Sequence, residues 1–331
     1  MKKILIIQSA FIGDVVLATA LIEKLQQYYP AASIDFLVRK GNESLLNNNP
    51  YLSEVLVWNK KEHKTRNLFA ILKKIRGKKY DLVINVQRFF STGLLTAFSG
   101  AKQTIGFDKN PLSFLFSKKI KHVIDLEHTR HDVERNNDLI KDLTDDKAAK
   151  PMMYPSADDK KIIQPFTGKP FVTMTPSSVW FTKKYPQEKW IELMDKFDPA
   201  YKIYLLGGKE NHEECELIKT NSKNKNIALL AGKLSFLQSA ALMKQAAMNY
   251  VNDSAPLHFA SAVNAPVTAI FCSTVPEFGF TPLSDKAFIV ETKEQLACRP
   301  CGLHGRRACP LGHFKCAYGI ETNAILETIN E

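Results

Sequence analysis

Among the residues of this 331-residue chain that could do chemistry, one acid stands apart. In "IIQSAFIGDVVLATALIEKL" (7–26), a strand-like apolar run enters a short loop and leaves as an amphipathic helix, with Gly13 and Asp14 at its entrance. Strand, loop and helix in that order begin a nucleotide-binding βαβ unit, but the glycine-rich fingerprint is missing. A carboxylate placed there repels phosphate, so Asp14 either caps the helix or serves a chemistry other than phosphate binding. A second group of residues suits a diphosphate. "PSSVWFTKKYP" (176–186), "GGKENHEE" (207–214) and "NDSAPLH" (252–258) supply hydroxyls, a lysine and free backbone N–H groups. The last runs straight into a helix, so Ser254 and the N–H groups after it are placed to face phosphate oxygens. A plain helix cap by Asp253 or Ser254 is the competing reading.

These residues need elements to hold them at strand ends. The first half alternates strand-like and helix-like segments: "KKILIIQ", 15–29, "SIDFLV", "EVLVW", 65–76 and "YDLVINV". Such alternation predicts a mostly parallel sheet with helices on both faces. The stretch 150–170 carries four prolines and no sustained period, which places a domain boundary there. A second alternation follows, through "FVTMTP", a helix opening at Pro186, "KIYLLGG", helix 211–221 and "NIALLAG". It continues with a helix whose Ser235 and Gln238 form a capping-box pattern, then "MNYVND", a helix around 256–264 and "PVTAIFCS". Two doubly wound α/β domains result, 1–155 and 168–331, and each presents the carboxyl ends of its strands to ligands.

Composition narrows the function. An apolar fraction of 45% with 24% charged residues is ordinary for a soluble globular protein. "MKKILIIQSAFIG" imitates a signal peptide, but no small-residue cleavage site follows, and the segment reads as a buried first strand. No apolar stretch approaches the roughly 18 residues that span a bilayer, so a cytoplasmic protein is expected. The net charge of +11 is uneven: residues 1–150 hold 25 Lys and Arg against 16 Asp and Glu, the remainder 20 against 18. A basic first half suggests an anionic partner there, whether nucleic acid, acidic lipid or sugar. No aromatic-studded basic strand or RNA module accompanies it, so no nucleic acid is expected.

Taken in order, five segments resemble the glycosyltransferases that move heptose from ADP-heptose onto the inner core of lipopolysaccharide (glycosyltransferase family 9). They are "IGDVVLATALIEKLQQYYP", "YDLVINVQ", "HTRHDVERNNDLI" (128–140), "PSSVWFTKKYPQEKW" and "VNDSAPLHFASAVNAPVTAIFCST" (251–274). The resemblance implies a GT-B arrangement, two facing Rossmann-like domains with the acceptor on the first and the nucleotide sugar on the second. It implies Asp14 as the catalytic base that deprotonates the acceptor hydroxyl in an inverting transfer. It implies Lys183 on the donor phosphates, Asp253 at the donor sugar or phosphates, and Ser254 and Ala255 as donors to the diphosphate. Ala255 stands where the family commonly has glycine. His258 lies just inside the following helix, Glu213 matches the acid on the ribose hydroxyls, and Leu234 the backbone contact to adenine. The acceptor is an anionic sugar on lipid A, which implies peripheral contact with the inner face of the inner membrane. Arg88, Arg130 and Arg135 are the candidates to meet it. A transferase or epimerase using another nucleotide is the alternative.

The chain ends in a cysteine-rich stretch, "CRPCGLHGRRACPLGHFKC" (298–316). Its C-x₂-C and C-x₆-C spacings, with His304 and His313, offer ligands for a tetrahedral zinc. The second half lacks a tight C-x₂-C knuckle, and glycosyl transfer of this kind needs no metal. Reduced thiols in a compact loop, with no metal or other cofactor, are therefore the expectation.

Overall fold

A computed structural model describes residues 2–331. Contacts divide the chain into two compact units, one running to Asp125 and including Arg130–Tyr154, the other Leu126–Thr129 with Pro155–Glu331. The first unit is built from β1 (Lys3–Ile7), α1 (Ile12–Tyr28), β2 (Ser33–Arg39), β3 (Leu52–Trp58), α2 (Lys64–Lys78), β4 (Leu82–Asn85), α3 (Phe90–Ala97), β5 (Gln103–Phe107), β6 (Lys118–Ile120) and α4 (Asp132–Asn137). Its six strands are all parallel, in the order β3-β2-β1-β4-β5-β6.

The reason "KILII" forms the middle of this sheet is that it has no polar face to show. Ile4 to Ile7 are all fully buried, as expected of a parallel strand covered on both sides. In register, Ile4 stands between Ile34 and Leu82, and Ile6 between Phe36 and Ile84. On one face Leu5 and Ile7 pack with Leu37, Val83, Trp58 and the α2 residues Ile71 and Ile75. Burying the four side chains Ile4 to Ile7 contributes on the order of 1.5–3 kcal/mol each before chain entropy is counted.

The second unit comprises α5 (Ala157–Ile163), β7 (Phe171–Thr175), α6 (Gln187–Asp195), β8 (Lys202–Leu205), α7 (His212–Asn221), β9 (Ile227–Leu229), α8 (Phe236–Gln245), β10 (Met248–Asn252), α9 (Ala255–Val263), β11 (Val267–Phe271), β12 (Ala287–Glu291), α10 (Lys315–Tyr318) and α11 (Thr322–Glu327). The sheet runs β12-β11-β10-β7-β8-β9, again all parallel. Its core gathers Met174, Trp190, Leu193, Leu205, Met248 and Tyr250, with the Trp190 ring edge-on to Tyr185 at 5.6 Å.

Both sheets therefore share one order. The chain builds outward over three strands, then returns to lay the fourth beside the first. Ligand-binding loops collect at that reversal, because adjacent strands there send their connections to opposite faces and leave a crevice. The crevice lies between β1 and β4 in the first unit and between β7 and β10 in the second.

Two local expectations change. The proline-rich stretch 150–170 contains α5, started by Ser156, whose Oγ accepts from the Asp159 N–H at 3.1 Å while the Asp159 carboxylate accepts from the Ser156 N–H at 2.9 Å. Pro186 is the residue before the first helical position of α6, at φ −58° and ψ 145°. Among the described residues no helix is long and apolar enough to cross a membrane.

Candidate active site

In the first unit the loop after β1 carries Asp14 into the first turn of α1. The carboxylate accepts from the Phe11 N–H at 3.1 Å, so it does cap the helix from within. It also has basic company. Arg39, the last residue of β2, is a charge neighbour of Asp14, with its guanidinium 5.2 Å from the Phe11 ring. Burial holds the Arg39 guanidinium below its ordinary range, and the Asp14 charge works against that drop. Lys60, just past β3, donates to the Ser9 carbonyl at 3.0 Å, and burial beside Arg39 brings its amine down to about 8. Asn42 ties the loop by donating to the Ala10 carbonyl at 3.0 Å. The buried Ser9 hydroxyl has no hydrogen-bond partner among the described residues. A half-buried carboxylate, two cations and an unpaired hydroxyl thus share one strand-end crevice.

The second unit carries its own set at its own reversal. Lys183, after β7, pairs with Asp253, after β10, at 2.6 Å, and both are largely buried. Thr274 donates to the same Asp253 oxygen at 2.6 Å. The Lys183 loop is pinned by Asn252, which accepts from the Tyr185 N–H at 2.9 Å and donates to the Pro176 carbonyl at 2.7 Å. Ser254 is the residue before α9 and is fully extended, yet its hydroxyl makes no capping bond and is buried without a partner among the described residues. Asp253 spends its carboxylate on Lys183 and Thr274. Simple helix capping therefore does not describe either side chain. The Lys183 ammonium, neutralised by Asp253 but keeping further N–H donors, the orphan Ser254 hydroxyl and the N-terminus of a nine-residue helix are donors of the kind an anion takes.

The remaining predicted residues fall as follows. Ala255 opens α9 and His258 is buried on it. Glu213 lies exposed in the first turn of α7, past β8, while its neighbour Glu214 holds Lys184 at 2.9 Å. Leu234 is half-buried beyond β9, whose loop is joined to that of β8 by the Gly232 N–H donating to the Gly207 carbonyl at 2.9 Å. Arg88 is exposed past β4, over the Phe89 ring at 5.7 Å. Arg130 precedes α4 and Arg135 lies on it, the helix that packs against α1. Arg130 clamps Asp138 at 2.6 Å, and Arg135 is buried, paired with Asp132 at 3.2 Å and donating to the Arg130 carbonyl. Both arginines build the 130–138 turn.

All six cysteines are free. Cys298 Sγ lies 3.9 Å from His313 Nε2, and among the described residues no three His, Cys, Asp or Glu side chains are grouped to hold a metal ion. Burial pushes the Cys316 thiol up to about 11 and Cys215 to about 12, which makes both poor nucleophiles. The cysteine-rich stretch has another use. Thr182 donates its N–H to the Arg306 carbonyl at 3.1 Å and accepts from the Arg306 N–H at 2.7 Å. A Cβ on Gly305, at φ +75°, would lie 2.9 Å from Lys183 Cγ. The loop thus walls in Lys183, a role that spacing alone did not reveal.

Comparison with known proteins gives these sites a family. The model described as glycosyltransferase family 9 (heptosyltransferase) matches residues 68–307. The chain belongs to that family. It is 28% identical to the lipopolysaccharide heptosyltransferase 3 of Escherichia coli over 80% of its own length and 82% of the relative's. With lipopolysaccharide heptosyltransferase 2 of E. coli K12 the identity is 25%, over 87% of each chain. Among solved structures, the E. coli ADP-heptose LPS heptosyltransferase II shares the fold at a TM-score of 0.80 and 22% identity, covering 100% of this chain and 98% of the other. E. coli heptosyltransferase WaaC with ADP does so at 0.77 and 18%, covering 99% of each. This family 9 glycosyltransferase accordingly has the GT-B fold class, two Rossmann-like domains in one chain.

The buried pair yields a test. Lys183→Ala should weaken ADP binding by about 1–3 kcal/mol, roughly 5- to 150-fold, the loss of a charge-assisted contact. It should also lower Tm, because Asp253 is left buried without its cation. Adding Asp253→Asn should restore Tm but not ADP affinity. Calorimetry showing wild-type ADP affinity in Lys183→Ala would take Lys183 out of the site.

Proposed function

We propose that the enzyme transfers heptose from ADP-heptose to an anionic sugar of the lipopolysaccharide core, with inversion. The observation that carries this reading is the clamp of Lys183, Asp253 and the unpartnered Ser254 hydroxyl at the start of α9, which suits a sugar diphosphate. In this reading the second unit takes the donor. Lys183, Ser254 and the Ala255 N–H meet the diphosphate, Glu213 the ribose and the Leu234 backbone the adenine, with His258 beside them. Positive charge on the departing diphosphate stabilises the leaving group as the glycosidic bond breaks. The first unit takes the acceptor. Asp14 accepts the hydroxyl proton while that oxygen attacks the anomeric carbon, and no metal takes part.

Arg39 and Lys60 beside Asp14, with Arg88 farther along the same strand ends, supply cations for the acceptor's carboxylates or phosphates. The acceptor's lipid implies a cytoplasmic enzyme in peripheral contact with a membrane. Relatives support donor and acceptor alike, since the family members described above are lipopolysaccharide heptosyltransferases and one solved structure is of an ADP-heptose LPS heptosyltransferase.

The direct experiment offers ADP-heptose, UDP-sugars and GDP-sugars with a heptose-free core acceptor and follows nucleotide release. ADP release only with both ADP-heptose and acceptor supports the reading, with a product whose anomeric configuration is the reverse of the donor's. Turnover with a uridine or guanosine donor instead would overturn it.

Lys60 adds a pH signature. Its depressed pKa means the ammonium is present below about pH 8 and lost above it. An anionic acceptor held by that ammonium should bind progressively less well as pH rises through about 8, while Lys60→Arg, always charged, should flatten the profile. Acceptor KM measured from neutral to alkaline pH checks this, and an identical rise in both proteins would remove Lys60 from acceptor binding.

A further inference from the structure

The strand-end edge of the first unit carries an apolar feature that neither the fold nor the transfer chemistry uses. Phe89 and Phe90 follow β4 and are 50% and 56% exposed; Phe114 and Leu115 follow β5 and are 70% and 47% exposed. Isolated exposed apolar residues are common, but these are fixed in place together. Asn110, only 1% exposed, donates from Nδ2 to the Gln87 carbonyl at 2.9 Å and to the Phe89 carbonyl at 3.0 Å. Its Oδ1 accepts from the Leu112 N–H at 3.0 Å, and Ser113 Oγ donates to the Asp108 carbonyl at 3.0 Å. Gly93 on α3 packs so tightly on Asn110 that a Cβ there would lie 2.1 Å from Oδ1. One buried carboxamide thus staples the two loops and holds their bulky side chains out in solvent.

The surroundings are cationic. Residues 88–123 contain Arg88, Lys102, Lys109, Lys118, Lys119 and Lys121 against a single acid, Asp108. Lys102 pairs with Asp81 and Lys118 with Asp142. Arg88, Lys109, Lys119 and Lys121 are exposed and make no ion pair among the described residues. Phe and Leu side chains on a membrane-bound face bury at the boundary of headgroups and acyl chains, and nearby Lys and Arg add attraction to an anionic surface. A soluble protein partner has no need of this charge excess; an acidic bilayer does.

We propose that Phe89, Phe90, Phe114 and Leu115, ringed by these cations, are the surface by which the protein docks on an anionic lipid bilayer. The proposal rests on the acceptor reading above and gives it a geometry. The patch occupies the ends of β4 and β5, and β4 is the neighbour of β1. Gln87 also hydrogen-bonds Gln8, whose Oε1 accepts from the Ala10 N–H in the Asp14 loop at 3.2 Å. Docking there presents the carboxylate-bearing edge of the sheet to the headgroups from which a lipid-linked sugar projects.

The test is co-sedimentation of the full chain with phosphatidylglycerol-containing vesicles and with purely zwitterionic ones. Wild type should bind the anionic vesicles, weaken as salt rises, and bind the zwitterionic ones far less. Phe89→Ser with Phe114→Ser should lose about tenfold or more in vesicle affinity, and Lys109→Glu with Lys119→Glu a similar amount. Both double variants should keep ADP affinity and turnover on a deacylated, water-soluble acceptor. Wild-type vesicle binding by both double variants would overturn the proposal. Failure of wild type to use the deacylated acceptor while binding vesicles would instead count against the transfer reading alone.

Discussion

Charges taken out of water have to be compensated where they stand, and the Lys183–Asp253 pair is where this requirement organises the second unit. Neither ion is tolerable alone at its burial, since an unpaired partner costs several kcal/mol. Holding them 2.6 Å apart fixes the loop after β7 against the end of β10. Asn252 secures the backbone of that loop from below, Thr274 the Asp253 carboxylate from the side, and the 301–306 stretch the Lys183 stem from without. On the proposed function, a pair held this way would spend little further entropy on a diphosphate, because the cation is already positioned.

The first unit repeats the strand order and departs from the chemistry. Its strand ends offer Asp14, Arg39 and Lys60, past β1, at the end of β2 and past β3, where the second unit's reversal offers a lysine and a helix start. One unit thus combines a carboxylate with cations in mixed-charge company, and the other a phosphate-type clamp. That division matches a group transfer in which one substrate must lose a proton and the other must lose a diphosphate.

Most of the fold was legible because parallel strands buried on both faces read as uninterrupted apolar runs. "ILII" in β1 is such a run, "FVTMT" and "VTAIF" come close with buried threonines among apolar residues, and each belongs to an interior strand. The strands β5, β6 and β12 were not anticipated. "QTIGF" is broken by Gly106, against which the Phe116 ring packs, and "KKI" is a three-residue edge with two charges. Helix α5 was hidden by prolines on both sides, although Ser156 and Asp159 form a capping pair visible in the sequence. Asp14, Lys183, Asp253 and Ser254 lie past strand ends, as the sequence pattern led one to expect. Arg39 and Lys60 were missed because, in a chain rich in lysine, charge alone does not separate a half-buried cation from a solvated one; their places at the ends of β2 and β3 were the available signal. Arg135 shows the converse, since the Asp132 three residues earlier was the sign that it would be turned inward.

Asp14 is where structure and chemistry have to be told apart, because its carboxylate already accepts from the Phe11 N–H. Asparagine at that position retains an acceptor for the same bond, caps about as well, and removes only the basicity. The turnover number of Asp14→Asn on ADP-heptose and acceptor, with its Tm and ADP affinity, is therefore the most direct measurement. A general base contributes about 10²–10⁴-fold, so kcat should fall by that factor while Tm and ADP affinity stay near wild type. Retention of more than about a tenth of wild-type turnover would mean that Asp14 is a helix cap and not the base.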